Sequence, residues 1–214
     1  MGEPELIAAL KSGGFPTGVL CDAMGKINNM RYDIKPLFSE ARLAGPAVTV
    51  RCPVADNLTI HRAMEMAHPG DVIVVDAGGY KNAGLFGEVM AVSCIARKIA
   101  GVIIDGGCRD AAEIVSLKYP LFAAAVNPGG TVKETLGEIN VSVQCGDVCV
   151  RPNDIMVGDR DGVVCIPREK VALVLKKAEE IIQREKKYLK ELKNGRSTMD
   201  VLGFNRILEQ KGLL

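Results

Sequence analysis

The chain has 214 residues, a formal net charge of +1 at pH 7, and 48% hydrophobic against 25% charged residues, which is ordinary for a globular protein with one main domain. The near-neutral charge and the 4% aromatic content, without Trp, argue against a nucleic-acid-binding or acidic-membrane-binding protein. No apolar run approaches the roughly 20 residues of a membrane span, and the N-terminus lacks the apolar core of a signal peptide. We therefore expect a cytoplasmic protein that binds neither nucleic acid nor membrane.

Among the first seventy residues, the sequence predicts three helices and one strand. These elements are an amphipathic helix over 4–11, a helix over 18–24 capped by Thr17, a strand over 43–52, and a helix over 57–67 capped by Asp56. The two histidines, His61 and His68, have a spacing that suits no metal-ligand pair. We interpret each as an ordinary surface or capping residue.

The stretch over 78–110, GGYKNAGLFGEVMAVSCIARKIAGVIIDGGCRD, carries the candidate chemistry. It follows a buried strand at 71–76 and predicts a glycine loop, a helix over 85–100, a second buried strand at 102–105, and a second glycine loop ending in Arg109-Asp110. The two strands should be parallel, so both loops should lie at the same edge of a sheet. That edge is where open α/β sheets usually bind ligands.

After a short helix over 111–118, the pattern changes to short strands: LFAAAV, GEINVSVQ, DVCV, IMVGD and GVVCIP. Gly146-Asp147 predicts a hairpin turn between two of them. A long charged helix over 168–194 with one apolar stripe and a last helix over 199–210 complete the chain. Parallel βα units followed by a block of strands indicate an α/β fold with a layered, partly closed sheet.

Carboxylates around the second glycine loop indicate a site for a hard cation. Asp105 and Asp110 flank this loop, and Glu88 lies in the first turn of the central helix. Oxygen ligands without His or Cys suit Mg²⁺. The free N–H groups at 87–90 could hold a carboxylate, and Arg109 adds a planar, permanently charged fork. Together these groups describe a site for a small 2-oxo acid.

Each of these residues also has a purely structural interpretation. Glu88 would favour the helix dipole in any protein, Arg109 and Asp110 could form a local surface ion pair, and Asp110 could cap the helix that follows it. The glycines over 78–84 match neither common phosphate-binding pattern and could equally serve a tight turn. The residues alone leave these alternatives open.

The seven cysteines form no C-x-x-C pair and mostly lie in apolar surroundings, which indicates buried thiols in a reducing compartment. Cys108 differs because it lies inside the second glycine loop. It is a minor candidate for a reactive thiol, although no His or Lys stands beside it in the sequence.

Several ordered blocks, DNLTIHRAMEMAHPGDVIVVD, GEVM and GVIIDGGCRD, resemble the signature of the family shared by 4-hydroxy-4-methyl-2-oxoglutarate aldolase and RraA, the regulator of ribonuclease E activity. The resemblance covers roughly residues 17–167. It implies a swivelling β/β/α-type layered domain over 1–167 with a C-terminal helical extension over 168–214 in the same unit. It also implies a homotrimer or hexamer with sites between subunits.

The resemblance implies roles for particular residues. The Asp of the R-D pair, here Asp110, would bind a divalent metal, and the preceding Arg, here Arg109, would be the catalytic residue that holds the substrate. The substrate carboxylate would lie against the backbone amides of Gly87, Glu88, Val89 and Met90. Glu88, where the aldolases often have Asp, would reach the metal. Glu185 of a neighbouring subunit is the best match for a further ligand, with Glu179 and Glu180 as alternatives.

The implied function is that of a class II pyruvate aldolase. Such an enzyme uses Mg²⁺ or Mn²⁺ to cleave a 4-hydroxy-2-oxo acid to pyruvate, and it can decarboxylate oxaloacetate through the same enolate. Lys81 is the candidate for a rival Schiff-base mechanism. The alternative is a regulator that, like RraA, docks on an RNA-degrading enzyme without catalysis. Those regulators are typically shorter and lack the long C-terminal helix, so its presence favours the enzyme.

Overall fold

The computed structural model of the protein describes residues 3–213 as a succession of helices and strands. The helices are α1 Glu3–Lys11, α2 Thr17–Ala23, α3 Leu58–Met66, α4 Glu88–Ala96, α5 Ala111–Ser116, α6 Val171–Lys193, α7 Thr198–Val201 and α8 Asn205–Gln210. The strands are β1 Lys35–Pro36, β2 Leu43–Arg51, β3 Val72–Gly84, β4 Gly101–Cys108, β5 Leu121–Val126, β6 Glu138–Ile139, β7 Val143–Cys145, β8 Val148–Val150, β9 Ile155–Asp159 and β10 Gly162–Ile166. None of the described helices is both long and apolar enough to cross a membrane.

Eight strands form one mixed sheet in the order β1-β5-β4-β3-β2-β9-β10, with β6 paired alongside β2. The four central strands, β2 to β5, are parallel, and the adjacent strands β3 and β4 confirm the predicted parallel pair. The two ends of the sheet, β1 and β10, contact each other, so the sheet is nearly closed. Separately, β7 and β8 form the predicted hairpin, with positive φ angles at Gly146 (54°) and Asp147 (65°).

The parallel strands are apolar on both faces because both faces are covered. On one face, β3 packs Ile73 and Val75 against the layer formed by α3, α4 and α5. On the other face, Val72 and Val74 pack against the β7–β8 hairpin and the antiparallel strands β9 and β10. A helical layer, the parallel strands and a second β layer are therefore stacked. This arrangement confirms the predicted β/β/α-type α/β fold.

A third apolar cluster attaches the C-terminal helix to the domain. The first half of α6 packs against α1, α2 and strands β9 and β10 through an apolar stripe that confirms the predicted pattern: Val171, Val174, Leu175 and Ala178. The division into a domain over 1–167 and an extension over 168–214 stays a prediction. Its outermost positions, 1–2 and 214, lie outside the described residues.

Two predicted helices have different bounds in the structure. The helix predicted over 85–100 covers only Glu88–Ala96. Leu85 and Phe86 are fully buried in the connection before it, so their apolar character reflects core packing rather than a helical face. The last helix, predicted over 199–210, is divided into α7 and α8 at Gly203, where φ is 71°.

The predicted glycine loop after the first buried strand is an irregularity within that strand. β3 continues to Gly84, and its register with β4 shifts on both sides of Tyr80. Gly78 and Gly79 have φ angles of 63° and 71°, which only glycine adopts without strain. These glycines therefore have a structural role, as the alternative to phosphate binding predicts, but they form an irregularity within β3 rather than a tight turn.

The two predicted helix caps have different outcomes. Asp56 does cap α3, because its Oδ1 accepts the Leu58 N–H at 2.9 Å. Thr17 does not cap α2, because its hydroxyl donates to Asp159 Oδ1 at 2.7 Å. The Thr17 N–H donates to Asp159 Oδ2 at 2.9 Å, so this carboxylate from the end of β9 satisfies the start of the helix instead.

Candidate functional site

The candidate site forms where the β3–α4 and β4–α5 connections lie side by side. The Leu85 N–H donates to the Gly107 carbonyl at 2.9 Å, and the Arg109 N–H donates to the Phe86 carbonyl at 2.9 Å. These two hydrogen bonds continue the parallel pairing past the strand ends. The sequence prediction that both connections meet at one edge of the sheet is confirmed.

Two glycines allow the connections to approach this closely. A Cβ on Gly84 would come within 2.6 Å of Arg109 Cβ and 2.8 Å of the Asn127 carbonyl. A Cβ on Gly87 would collide with Asp110 Oδ2 and lie 3.2 Å from Arg109 Nε. Any residue with a Cβ at position 84 or 87 would therefore take the space that the side chains of Arg109 and Asp110 occupy.

Asp110 is held in an unusual backbone conformation, with φ 54° and ψ 42° in the left-handed region. Such a conformation is strained in a residue other than glycine, although Asp tolerates it better than most, and strain of this kind is frequent at functional sites. Its side chain does not cap α5, which corrects that alternative. Instead, Asp110 Oδ2 accepts the Glu88 N–H at 3.0 Å, across the cleft at the start of α4.

Arg109 lies beside this carboxylate, with Nε 3.5 Å from Asp110 Oδ2. Both side chains remain partly exposed, Asp110 by 38%. An arginine and a carboxylate thus face solvent together at the edge of the sheet. A surface ion pair of this kind adds little stability, so packing energy does not explain its placement.

The far wall of the site comes from α3 and the loop after β5, and Asp56 joins them. Its Oδ1 caps α3, while its Oδ2 accepts the N–H groups of Glu134 (2.9 Å) and Thr135 (2.7 Å). Burial opposes ionisation of Asp56, but these hydrogen bonds from the backbone outweigh it and lower its pKa. The loop that carries Lys133 is thereby fixed to the helix that carries His61.

The walls enclose a pocket of about 250 Å³ lined by Asn57, His61, Gly84, Gly87, Val89, Met90, Arg109, Asp110, Gly130, Thr131 and Lys133. Two basic side chains, Arg109 and Lys133, and one carboxylate, Asp110, line the pocket, so its formal charge is positive. The pKa of His61 is lowered, first by burial and then by repulsion from Lys133. The imidazole is therefore neutral near pH 7 and free to accept a proton.

Asn57 is a further polar group at the pocket wall. It is buried, and its Nδ2 donates to the Leu85 carbonyl at 2.8 Å, which holds the β3–α4 connection in place. Its Oδ1 is buried without a hydrogen-bond partner among the described residues. A buried acceptor of this kind is costly unless a ligand or water supplies a donor.

The structure places only some of the predicted site residues in the pocket. Arg109, Asp110, Gly87, Val89 and Met90 line it, whereas Glu88 is exposed on the first turn of α4 beside it. The Glu88 N–H, predicted to hold a substrate carboxylate, is bonded to Asp110 in this structure. The roles assigned to 87–90 remain predictions.

Glu185 lies elsewhere in the chain. It is exposed on α6, whose packed half belongs to the third apolar cluster, with α1, α2, β9 and β10. Within one chain, Glu185 does not line the pocket. A role as a metal ligand would therefore require a neighbouring subunit, as the resemblance implies, and this stays a prediction.

Three other candidate residues do not line the pocket. Asp105 is buried on the opposite face of the sheet and pairs with Arg31 at 2.6 Å, so it does not join Asp110. The ammonium group of Lys81 pairs with Asp33 and does not line the pocket. Cys108 is buried, and this burial raises the pKa of its thiol to about 11, which excludes a reactive thiolate.

Sequence reasoning missed His61, Lys133 and Asn57. His61 was interpreted as a surface residue, and His68 does lie at the surface, with 87% of its side chain exposed. The available signal was the spacing of four residues between Asn57, which directly precedes α3, and His61, which places both on one side of a helix that follows a buried strand. No local pattern singles out Lys133, because its loop reaches the site through contacts with Asp56, which is distant in sequence.

The carboxylates near the pocket could bind an ion such as Mg²⁺, but they do not form a complete coordination shell of protein ligands. Among residues 3–213, no group of three or more His, Cys, Asp or Glu side chains is arranged to hold a metal. Asp110 is the carboxylate that lines the pocket, with Glu88 nearby. Mg²⁺ commonly uses one or two carboxylates and retains several waters, so this set suits it better than Zn²⁺.

Comparison with known proteins places this geometry in a family. The family model described as RraA-like, Aldolase/RraA, matches residues 17–165. A Halalkalibacterium halodurans protein, provisionally named 4-hydroxy-4-methyl-2-oxoglutarate aldolase, is 36% identical over 178 residues, covering 83% of this chain and 85% of that protein.

Two solved structures have a similar fold. An uncharacterised protein from Pseudomonas syringae pv. tomato has a TM-score of 0.84 over 95% of both chains at 23% identity, which supports the fold. The RNA-processing inhibitor RraA from Thermus thermophilis has a TM-score of 0.65 at 30% identity, covering 71% of this chain and 92% of its own. The family model spans α3 and both connections that form the site. This chain therefore belongs to the RraA-like (Aldolase/RraA) family.

Proposed function

We propose that the protein is a divalent-metal-dependent aldolase that cleaves a 4-hydroxy-2-oxo acid to pyruvate, with oxaloacetate decarboxylation as a second reaction. The observation that carries this proposal is the Arg109–Asp110 pair at the mouth of the pocket, with Asp110 strained and hydrogen-bonded across the cleft to Glu88. The relative provisionally named as such an aldolase supports the choice of reaction.

In this proposal Arg109 binds the 2-oxo acid and stabilises the negative charge that develops on its enolate oxygen. Its guanidinium pairs with Asp110 at 3.5 Å through Nε, and the residue lines the pocket, so its two terminal nitrogens could bind an oxyanion as a fork. Lys133, on the far wall, provides a second positive charge. Two cations on opposite walls favour a substrate with carboxylates at both ends.

The retro-aldol step requires a group that accepts the proton of the C4 hydroxyl. As that proton leaves, the O–H electron pair forms the new carbonyl, the C3–C4 bond breaks, and its pair enters the pyruvate enolate, which is then protonated at C3. We assign the acceptor role to His61, because it lines the pocket and its lowered pKa keeps it neutral.

Asp110, with Glu88 beside it and Glu185 of a neighbouring subunit, would hold the divalent metal, Mg²⁺ or Mn²⁺. When bound, the metal supplies positive charge next to the enolate oxygen. The Asp110–Glu88 hydrogen bond would keep one carboxylate oxygen fixed and leave the other free for the metal.

The direct test is pyruvate release from a panel of 4-hydroxy-2-oxo acids and oxaloacetate, measured with a coupled lactate dehydrogenase assay. Turnover should disappear in excess EDTA and return with Mg²⁺ or Mn²⁺. Full activity in EDTA would contradict the metal-dependent mechanism. Covalent trapping by borohydride would favour a Schiff base, for which Lys133 is better placed than Lys81.

We also propose that the active form is a homotrimer or homohexamer. The face of α4 next to the pocket exposes the apolar side chains Val89, Val92 and Ile95, with Val89 exposed by 79%. An apolar stripe beside a site that lacks a complete set of metal ligands suits a subunit interface. A fully active monomer in sedimentation analysis would contradict this.

The second candidate function is a protein-binding regulator, favoured by the similarity to the RNA-processing inhibitor RraA. This alternative predicts no lyase activity, and it predicts partner binding that does not change in Asp110→Asn. The family model ends at residue 165, before α6, and this chain is longer than the RraA match. If the wild-type protein with Mg²⁺ releases pyruvate from no substrate in the panel, the regulator becomes the better hypothesis.

A further inference from the structure

A second pocket lies at the opposite edge of the parallel sheet from Arg109 and Asp110. It has a volume of about 230 Å³, close to the 250 Å³ of the first pocket. Its walls include Leu43 at the start of β2, Gly70 before β3 and Ala100 before β4. These are the amino ends of the strands, so the two pockets are separated by the length of the sheet.

Three cationic side chains line this pocket. Lys11 comes from the end of α1, Arg42 from the residue before β2, and Lys98 from the turn between α4 and β4. None of the three forms an ion pair with any residue of the part of the chain that the structure describes. All three are exposed, and together they give the pocket a positive potential that would attract an anion.

Two glycines leave room for the cationic groups close to the backbone. Gly13, with φ 77°, passes so close to the guanidinium that a Cβ there would lie 3.0 Å from Arg42 Nη1. A Cβ on Gly70 would lie 3.3 Å from Lys11 Nζ. The Gly70 N–H donates to the Lys98 carbonyl at 2.8 Å, which links the turns before β3 and β4.

The rest of the lining is mostly apolar, with Leu10, Phe15, Leu43, Ala44, Ala100 and Val157. One carboxylate, Asp159, also lies in the wall. Its oxygens already accept hydrogen bonds from the N–H and hydroxyl of Thr17 and from the Asp161 N–H. Asp159 therefore does not neutralise the cations by direct contact.

From this combination we propose that the second pocket is a binding site for a small phosphate monoester with an apolar body. A phosphate dianion matches three cations better than a monoanionic carboxylate does, and arginine can bind it through two parallel hydrogen bonds. The apolar walls would hold the body of the ligand. The proposal does not depend on the aldolase function, because no residue is shared between the two pockets.

The test uses phenyl phosphate as the probe, measured by isothermal titration calorimetry on the full-length protein. Phenol serves as the neutral comparator and benzoate as the monoanion. We expect saturable binding of phenyl phosphate, at least tenfold weaker binding of benzoate, and none of phenol. Arg42→Gln and Lys98→Gln should each raise the Kd at least tenfold, whereas Lys190→Gln on the exposed part of α6 should leave it unchanged.

Arg109→Ala distinguishes this pocket from the proposed active site, since the other pocket is also positively charged. Binding should be the same in Arg109→Ala and wild type, with folding of each variant checked by its thermal melting curve. The proposal is overturned if phenyl phosphate does not saturate, if benzoate binds equally well, if Arg109→Ala abolishes binding, or if folded Arg42→Gln and Lys98→Gln bind like wild type.

Discussion

Asp105 and Asp110 are close in sequence but serve different regions of the molecule. Asp105 is buried, with 9% of its side chain exposed, and its oxygens accept hydrogen bonds from Arg31 (2.6 Å) and the Gly146 N–H (3.0 Å). Asp110 has a strained backbone, is exposed by 38%, and accepts one N–H from the start of α4.

The difference teaches how to separate structural from functional carboxylates. Both oxygens of Asp105 accept hydrogen bonds from its own chain, and the bond to Arg31 is the largest cause of the raised pKa of Arg31. It therefore joins β4 to the β7–β8 hairpin, and its burial leaves it little access to a ligand. Asp110 retains the capacity to bind one, since its contacts with Glu88 and Arg109 both use Oδ2 and no hydrogen bond from a described residue occupies its other oxygen.

The largest effect should come from Asp110→Asn. Loss of the carboxylate charge removes the proposed metal ligand, so we expect kcat to fall by roughly 1000-fold or more. The thermal midpoint should change little, because the site is partly exposed. Steady-state pyruvate release and a melting curve measure the two effects. Glu113→Gln, an exposed acid in the first turn of α5, is the matched control and should retain activity.

The next largest loss of activity should come from Arg109→Lys, which keeps the charge but loses the planar guanidinium fork. Loss of such a contact in the transition state costs about 2–4 kcal/mol, or roughly 30- to 1000-fold in kcat/KM. Arg97→Lys at the end of α4 provides the control for an exposed arginine. Unchanged kinetics in Arg109→Lys would show that the Arg109–Asp110 pair is only a surface ion pair.

Asp105→Asn should show the opposite behaviour to Asp110→Asn. Removing one partner of a buried ion pair leaves Arg31 without its main counter-charge and should cost about 3 kcal/mol of unfolding free energy. Urea denaturation measures this loss, and activity per folded molecule should persist. Asp147→Asn removes the exposed partner of the same arginine (75% exposed, 3.3 Å away) and should change stability by less than about 1 kcal/mol.

His61→Gln should reduce kcat by roughly 100-fold if the imidazole accepts the substrate proton. The pH profile gives a sharper result. Because burial and Lys133 lower the pKa of His61 below its ordinary 6.5, wild-type activity should persist below pH 6.5 and then fall as the imidazole becomes protonated. This acidic limb should vanish in His61→Gln and remain in His68→Gln. A limb that stays in His61→Gln would assign it to another group.

The smallest effect should come from Asp56→Asn, which weakens the junction between α3 and the Lys133 loop. The three N–H groups bonded by Asp56 would lose their charged acceptor, at a cost of about 2 kcal/mol. Since the folded-state pKa of Asp56 is lowered, its contribution is present above the unfolded pKa of about 3.9 and is lost as pH falls through the folded pKa. Stability curves of wild type and variant should therefore converge in acid.

Much of the site could be predicted from sequence because its two central connections are local. Buried apolar runs defined the parallel strands, the helix pattern defined the crossover, and the strand ends placed Arg109 and Asp110 at one edge. The ordered blocks around these residues also identified the family, which the comparison confirms.

The tertiary structure decided what depends on contacts between distant segments. Whether Asp105 or Asp110 faces the pocket is set by strand alternation and by Arg31, which lies far away in sequence. His61 and Lys133 reach the same pocket because Asp56 joins their segments through hydrogen bonds to backbone N–H groups, which no side-chain pattern encodes. The sequence by itself determined the strands, the crossover and the Arg109–Asp110 edge, since these follow from local hydrophobic periodicity. Only folding decided which charged groups are neutralised by partners and which remain available to a ligand, because that depends on long-range packing.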